Sequence, residues 1–260
     1  MKKYFEIYKQ FISSCFAEST SYRLNFWLLI IMDIILYLIA FFTVDFIYDH
    51  LGTIGQWNRD NFLFFISFIL CVNHLHMTFV SENFWEFSFH LRNGTFDFIL
   101  LKPISPIFNV FFRIMRPSTI WNFLLLWPLL IYYGLKSDLS ILSWISLPFL
   151  VLCGFALMVA LELILASFNF WIIDGWGTNF LRMQFQSLSR WPDFVFVNPF
   201  KRIFSFFMPF LIIGSGPVQF LLDNSNWVYL IYMIFSFIGS VIVFRFIWNK
   251  GLNQYESASS

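Results

Sequence analysis

The chain has 260 residues, of which 59% are hydrophobic and only 12% charged, and its net charge is +1. A soluble domain carries about twice that share of charge, and the 39 phenylalanines alone offer more apolar surface than one water-facing core of this length hides, so lipid is the solvent that the composition demands. The charge balance excludes the electrostatic footprint of a nucleic-acid binder, and Cys15, Cys71 and Cys153 are too scattered for a metal motif or a disulfide framework.

Met1-Lys2-Lys3 is basic, but no short apolar core with a small-residue cleavage site follows, so the first span is expected to act as its own uncleaved signal. Phe5, Tyr8, Ile12 and Phe16 recur at helical spacing with Glu6, Lys9 and Ser13 between them. This predicts an amphipathic helix over 1–24 that lies in the membrane interface. A span needs about 20 mostly apolar residues, and the stretches 25–48, 61–80, 117–133, 139–168 and 227–248 meet that requirement.

Between 168 and 227 two readings stand. In one, 200–222 is the fifth span. In the other, the amphipathic stretch 174–193, with Arg182 and Arg190 on its polar side, is the fifth span and the segment 194–224 dips into the outer leaflet and returns. Pro209, Gly214, Gly216 and Pro217 favour the second, because broken helices persist at membrane depth only where protein or a cavity satisfies the freed backbone. Both readings give six spans and an all-α integral membrane protein.

Basic residues set the orientation. Lys2, Lys3, Lys9 and Arg23 precede the first span, Arg92, Lys102, Arg113 and Arg116 lie between the second and third, and Arg245 and Lys250 end the chain. The intervening loops carry only Arg59 and Lys136. Both termini and the long connection over 81–116 are therefore expected in the cytoplasm, in a multi-pass protein of the cell membrane. Lys201 and Arg202 run against this under the second reading.

No phosphate-binding Gly-x-x-x-x-Gly-Lys loop, His-Glu-x-x-His or Gly-x-Ser-x-Gly is present. Glu82, Glu86 and His90 share one helix face, with His74 and His76 nearby but pointing to different sides. A polar face on a helix leaving the membrane accounts for them better than a metal site. An intramembrane metal-dependent enzyme built on His74, Glu82, Glu86 and His90 stays as an alternative, as does a non-transporting scaffold. Asp33 and Glu162 fall within spans, where a charge facing lipid is expensive, so each is expected to meet a partner or line a wet pathway.

The connection Arg92-Asn93-Gly94-Thr95-Phe96-Asp97-Phe98-Ile99-Leu100-Leu101-Lys102-Pro103 reads as a turn, a short amphipathic helix and a proline stop. It is either a rigid protrusion that receives force or an interfacial helix resting on lipid. Together with Ser105-Pro106 it resembles the Arg-x-Gly-x-(Leu/Phe)-Asp…Leu-Leu-(Arg/Lys)-Pro-x-Ser-Pro signature of ABC-type exporter permeases of the type-2 superfamily, in the small six-span branch that includes antibiotic and multidrug export permeases. Ile54-Gly55-Gln56-Trp57 resembles that branch's turn before the second span, and Trp248-Asn249-Lys250-Gly251-Leu252 through Tyr255-Glu256-Ser257-Ala258 resembles its tail.

The resemblance implies one transmembrane domain over 1–260 whose coupling helix uses Arg92, Asn93, Gly94, Phe96, Asp97, Leu101, Lys102 and Pro103. It implies two copies of a separate cytosolic ATPase that handles ATP and Mg, a second permease of the same or a homologous kind, and no catalytic residue, cofactor or metal in this chain. A broken segment re-entering from outside before the last span is a further implication.

Overall fold

The computed structural model describes residues 2–51, 55–172 and 175–256. The chain begins with α1 (Lys2–Ser21) and α2 (Arg23–Leu51), followed by α3 (Arg59–Phe79), α4 (Ser81–Arg92), α5 (Phe96–Leu100) and α6 (Pro106–Phe111). A 3-10 segment, Pro117–Asn122, leads into α7 (Phe123–Lys136), and α8 (Ile141–Ser167) follows. The last part holds α9 (Gly175–Leu188), α10 (Asn198–Phe206), α11 (Phe210–Leu222) and α12 (Val228–Gln254).

Hydropathy and packing together explain the layers. The most apolar window of α3 is 83% buried, whereas those of α2 and α12 are 22% and 17% buried although they are more apolar. The first is therefore the central post, clad by α2, α7, α8 and α11. The other two keep long apolar faces outward, an arrangement that only lipid or another apolar surface tolerates. Among the described residues five helices are long and apolar enough to cross a membrane, six if α10 and α11 count as one bent span. The chain is an all-α integral membrane protein.

The two ends of the bundle are built differently. At the end that holds the chain's tail, Phe87, Phe96, Phe170, Trp248 and Tyr255 pack ring on ring, with Phe170 and Trp248 centroids 5.1 Å apart. At the far end, the Tyr48 hydroxyl donates to the Trp57 carbonyl at 2.9 Å, and Arg59 pairs with Asp45 at 2.8 Å.

These markers trace the difficult segment. Trp176, early in α9, meets Trp85 near the tail end, and Phe194 meets Trp57 at the far end. Residues 175–194 thus run the length of the bundle, although 14 helical residues rise only about 21 Å. A turn, a short extended stretch and the start of a 3-10 turn at Asp193–Val195 cover the rest. The pair α10 and α11 meets at 93°. It starts beside Asp193, which binds Lys201 at 2.7 Å, and ends where Asn224 donates to Ser143 Oγ at 2.9 Å. Both its ends therefore lie at the far end.

Two expectations need correction. Of the four residues expected to break this segment, only Pro209 caps a helix at the bend; Gly214, Gly216 and Pro217 lie within the continuous α11. Gly214 serves close packing, since a Cβ there would stand 2.8 Å from the Phe65 ring. The inward stripe of α1 is also displaced. Tyr4, Tyr8 and Phe11 meet Phe108, and Cys15 Sγ accepts from the Met115 amide, while Phe5 and Phe16 stay exposed.

Gly251 of α12 faces Phe170 so closely that an added methyl would run into the ring, whereas Gly239 of the same helix faces open space. Gly251→Ala is expected to destabilise the protein by about 1–3 kcal/mol, and Gly239→Ala to leave it unchanged or up to about 1 kcal/mol more stable. Thermal unfolding in detergent measures both.

Candidate functional site

A turn and a short helix protrude at the tail end. α4 stops at Asn93, and Gly94 adopts φ +68°, a left-handed turn that suits glycine. His90 Nδ1 lies 2.7 Å from Thr95 Oγ1 across this turn, and burial holds the imidazole below its usual range. Phe96 and Ile99 of α5 point inward and are buried, so the opposite face of the short helix is left outside. There Phe98 is 67% and Leu101 80% exposed, beside Arg92, Asn93, Lys102 and Pro103. α1 braces the base: Lys3 Nζ donates to the Pro103 carbonyl at 3.0 Å, and the Ser105 amide donates to the Tyr4 hydroxyl at 3.1 Å.

The residues expected to form a contact surface therefore divide. Arg92, Asn93, Leu101, Lys102 and Pro103 are outside. Gly94 and Phe96 are buried and give the protrusion its shape. Asp97 is half-buried beside Tyr255, and burial together with that carboxylate pushes the phenol up to about 12. Phe98 was missed, although its i, i+3 relation to Leu101, on the face away from Phe96 and Ile99, is readable from the sequence.

Deeper in the bundle is a buried charge network. Glu162 of α8 is completely inaccessible, and its Oε2 accepts from Arg182 Nη1 of α9 at 2.8 Å and lies 2.6 Å from His76 Nε2 of α3. Gln186 Nε2 approaches His76 Nδ1 at 3.4 Å and donates to Asn73 Oδ1 at 2.9 Å. A proton on His76 Nε2 therefore suits both neighbours. The Arg182 guanidinium lies 4.6 Å from the centroid of Phe84 in α4. Asn179 accepts from Arg182 Nε at 3.4 Å and donates to Ser88 Oγ at 2.9 Å. Helices α3, α8 and α9 are joined through one carboxylate, and α4 is attached to α9 beside it through Ser88 and Phe84. Asp33 is held in the same manner nearer the surface, by Asn122 at 3.0 Å and Arg116 at 3.4 Å.

The alternative metal centre is not assembled. His76 turns to Glu162, His90 to Thr95, and His74 sits against Phe123. Among the described residues no three His, Cys, Asp or Glu side chains converge. The far-end lysine that ran against the charge pattern has a local reason: Lys201 neutralises Asp193, whose side chain is 7% exposed.

Removing one member of a buried ion pair strands the other. Arg182→Met is expected to cost about 3–5 kcal/mol, and adding Glu162→Leu to the same chain to recover most of that loss. A double-mutant cycle by thermal unfolding in detergent checks it.

The family profile described as "ABC-2 family transporter protein" matches residues 34–259, which contain the protrusion, the buried Glu162 and the bent helix pair. No curated protein and no solved structure matches the chain. The chain belongs to the ABC-2 family of transporter proteins.

Proposed function

We propose that this chain is the membrane-spanning permease of an ATP-driven exporter and that the protrusion carrying Phe98 and Leu101 is the seat of its ATPase. Membership of the ABC-2 family makes the chain a permease component of an ABC transporter with an ABC ATPase as partner. The finer reading adds two ATPase copies below two permeases, identical or homologous, with ATP and Mg bound by the ATPases. It places both termini in the cytoplasm of a cell, or bacterial inner, membrane. The coupling region is 81–116, the interfacial helix 1–24 and the re-entrant segment 194–224, with α9 and the stretch after it as the fifth crossing. The single observation that carries the coupling role is the outward pair Phe98 and Leu101 on a helix fixed from behind by Phe96 and Ile99.

A protein without a nucleotide site moves only if force enters from outside, and force needs a stiff lever. α4 is that lever. Its outer end bears the protrusion, and its inner part holds α9 through Ser88–Asn179 and Phe84–Arg182. Closure of the ATPases displaces the protrusion, α4 follows, and α9 follows α4. The two states differ in their affinity for nucleotide and for cargo, which couples the two sites. Cargo passes between the protomers, and the aromatic, charge-poor composition suits an apolar or amphipathic molecule.

Leu101→Asp and Phe98→Asp each place a charge in the centre of the proposed contact. Each is expected to weaken association with the ATPase by about 30-fold or more while leaving unfolding temperature unchanged. Phe96→Ala is expected to lower stability by about 3–5 kcal/mol instead. Co-purification with the ATPase and thermal unfolding separate the two outcomes; full ATPase binding by Leu101→Asp and Phe98→Asp together contradicts the coupling role.

A further inference from the structure

A pocket flanks the α4 lever. It lies between the outer half of α4 and the start of α9, has a volume of about 280 Å³, and is bounded by Trp85, Glu86, Phe89, Arg92, Trp176 and Asn179. The two indoles meet nearly edge to face, with centroids 5.3 Å apart. The helices approach closely behind them, because a methyl on Gly175 would run into Ser88. Trp85 lies six residues beyond the last residue of the α3 span, at the level where amphipathic aromatics border the lipid.

Among the described residues the pocket is lined by one acid and one base, Glu86 and Arg92, which do not pair with each other. Neither the Glu86 carboxylate nor the Arg92 guanidinium is within ion-pair distance of an opposite charge among the described residues. The titratable neighbour of Glu86 is His90, already engaged with Thr95. An acid beside indole and phenyl faces is the chemistry that holds an ammonium group, and a guanidinium is the chemistry that holds a phosphate or carboxylate. A lone cation would be repelled by Arg92 and a lone anion by Glu86. We infer that this pocket binds a zwitterionic ligand, with its ammonium group against Glu86 and the two tryptophans and its anionic group on Arg92.

Two sources carry that chemistry, the head group of a lipid and a water-soluble zwitterion. The pocket floor gives the occupant a consequence. Asn179 borders the pocket and binds both Ser88 and Arg182, so a ligand displacing that amide acts on the clasp around Glu162. The inference requires the membrane placement and not the transport reading.

The experiment is titration calorimetry on the full chain in nanodiscs of phosphatidylglycerol alone, which supply no zwitterion. The probes are phosphocholine, choline, inorganic phosphate and a short-chain phosphatidylcholine. Phosphocholine or the lipid is expected to bind at least about tenfold more tightly than choline or phosphate. Glu86→Gln and Trp176→Ala are each expected to weaken that binding about tenfold, and Arg92→Gln to abolish the preference over choline. Thermal unfolding of each variant shows whether the fold is kept, and Glu86→Gln preserves size and shape. A lipid bound far more tightly than phosphocholine supports the site with a membrane source; equal binding supports it with a soluble one. Equal affinity for choline and phosphocholine in the unaltered protein overturns the inference, as does undiminished binding by folded Glu86→Gln and Trp176→Ala.

Discussion

A carboxylate with no accessible surface must be neutralised where it stands, and the neutralisation of Glu162 organises this protein. Left without its partner, such a charge costs about 3–5 kcal/mol. Here Arg182 supplies the opposite charge and His76 a second polar contact, both on the same oxygen. Each of the three comes from a different helix, so satisfying the carboxylate also fixes α3, α8 and α9 relative to one another. Because the pairing is directional, it also selects one rotation of α9 about its axis. Apolar packing, which tolerates repacking, does not select so sharply.

This constraint accounts for a helix that is otherwise poorly suited to its place. α9 has only 14 residues and includes Asn179, Arg182 and Gln186, yet it lies along a bundle of far more apolar neighbours, with Trp176, Phe180, Leu181 and Met183 exposed on its other side. Its polar side chains are its attachments. Asn179 reaches Ser88 and the Phe84 carbonyl, Arg182 reaches Glu162, and Gln186 reaches Asn73. The same attachments bind α9 to α4, and α4 leads directly to the protrusion. A displacement at Leu101 therefore has a physical route into the bundle through packed and hydrogen-bonded groups.

Much of the architecture was legible because hydropathy is additive along the chain. The spans at 25–48, 61–80, 117–133, 139–168 and 227–248 fall on α2, α3, α7 with its preceding turn, α8 and α12. The connection before the third span was readable as turn, short helix and stop because Gly94 and Pro103 act on their own neighbours. What sequence could not reveal were pairings between distant residues: Glu162 stands 20 positions from Arg182 and 86 from His76. Proline and glycine misled within α11 because their effect depends on what surrounds them. Gly214 lets Phe65 and the Ser189 carbonyl approach, which no local rule distinguishes from a break. The i, i+3 spacing separates the Phe96–Ile99 face from the Phe98–Leu101 face, but only the direction of the core decides which of the two is buried.

Whether the face around Leu101 meets an ATPase is tested most directly by photo-crosslinking from that position. A photoreactive amino acid placed at Leu101 in the native host, followed by mass spectrometry of the adduct, names what touches it. A soluble chain bearing a Gly-x-x-x-x-Gly-Lys-(Ser/Thr) loop is expected, absent when the probe is moved to the exposed Ile145 of α8. Adducts with lipid alone, or with no nucleotide-binding chain, contradict that contact.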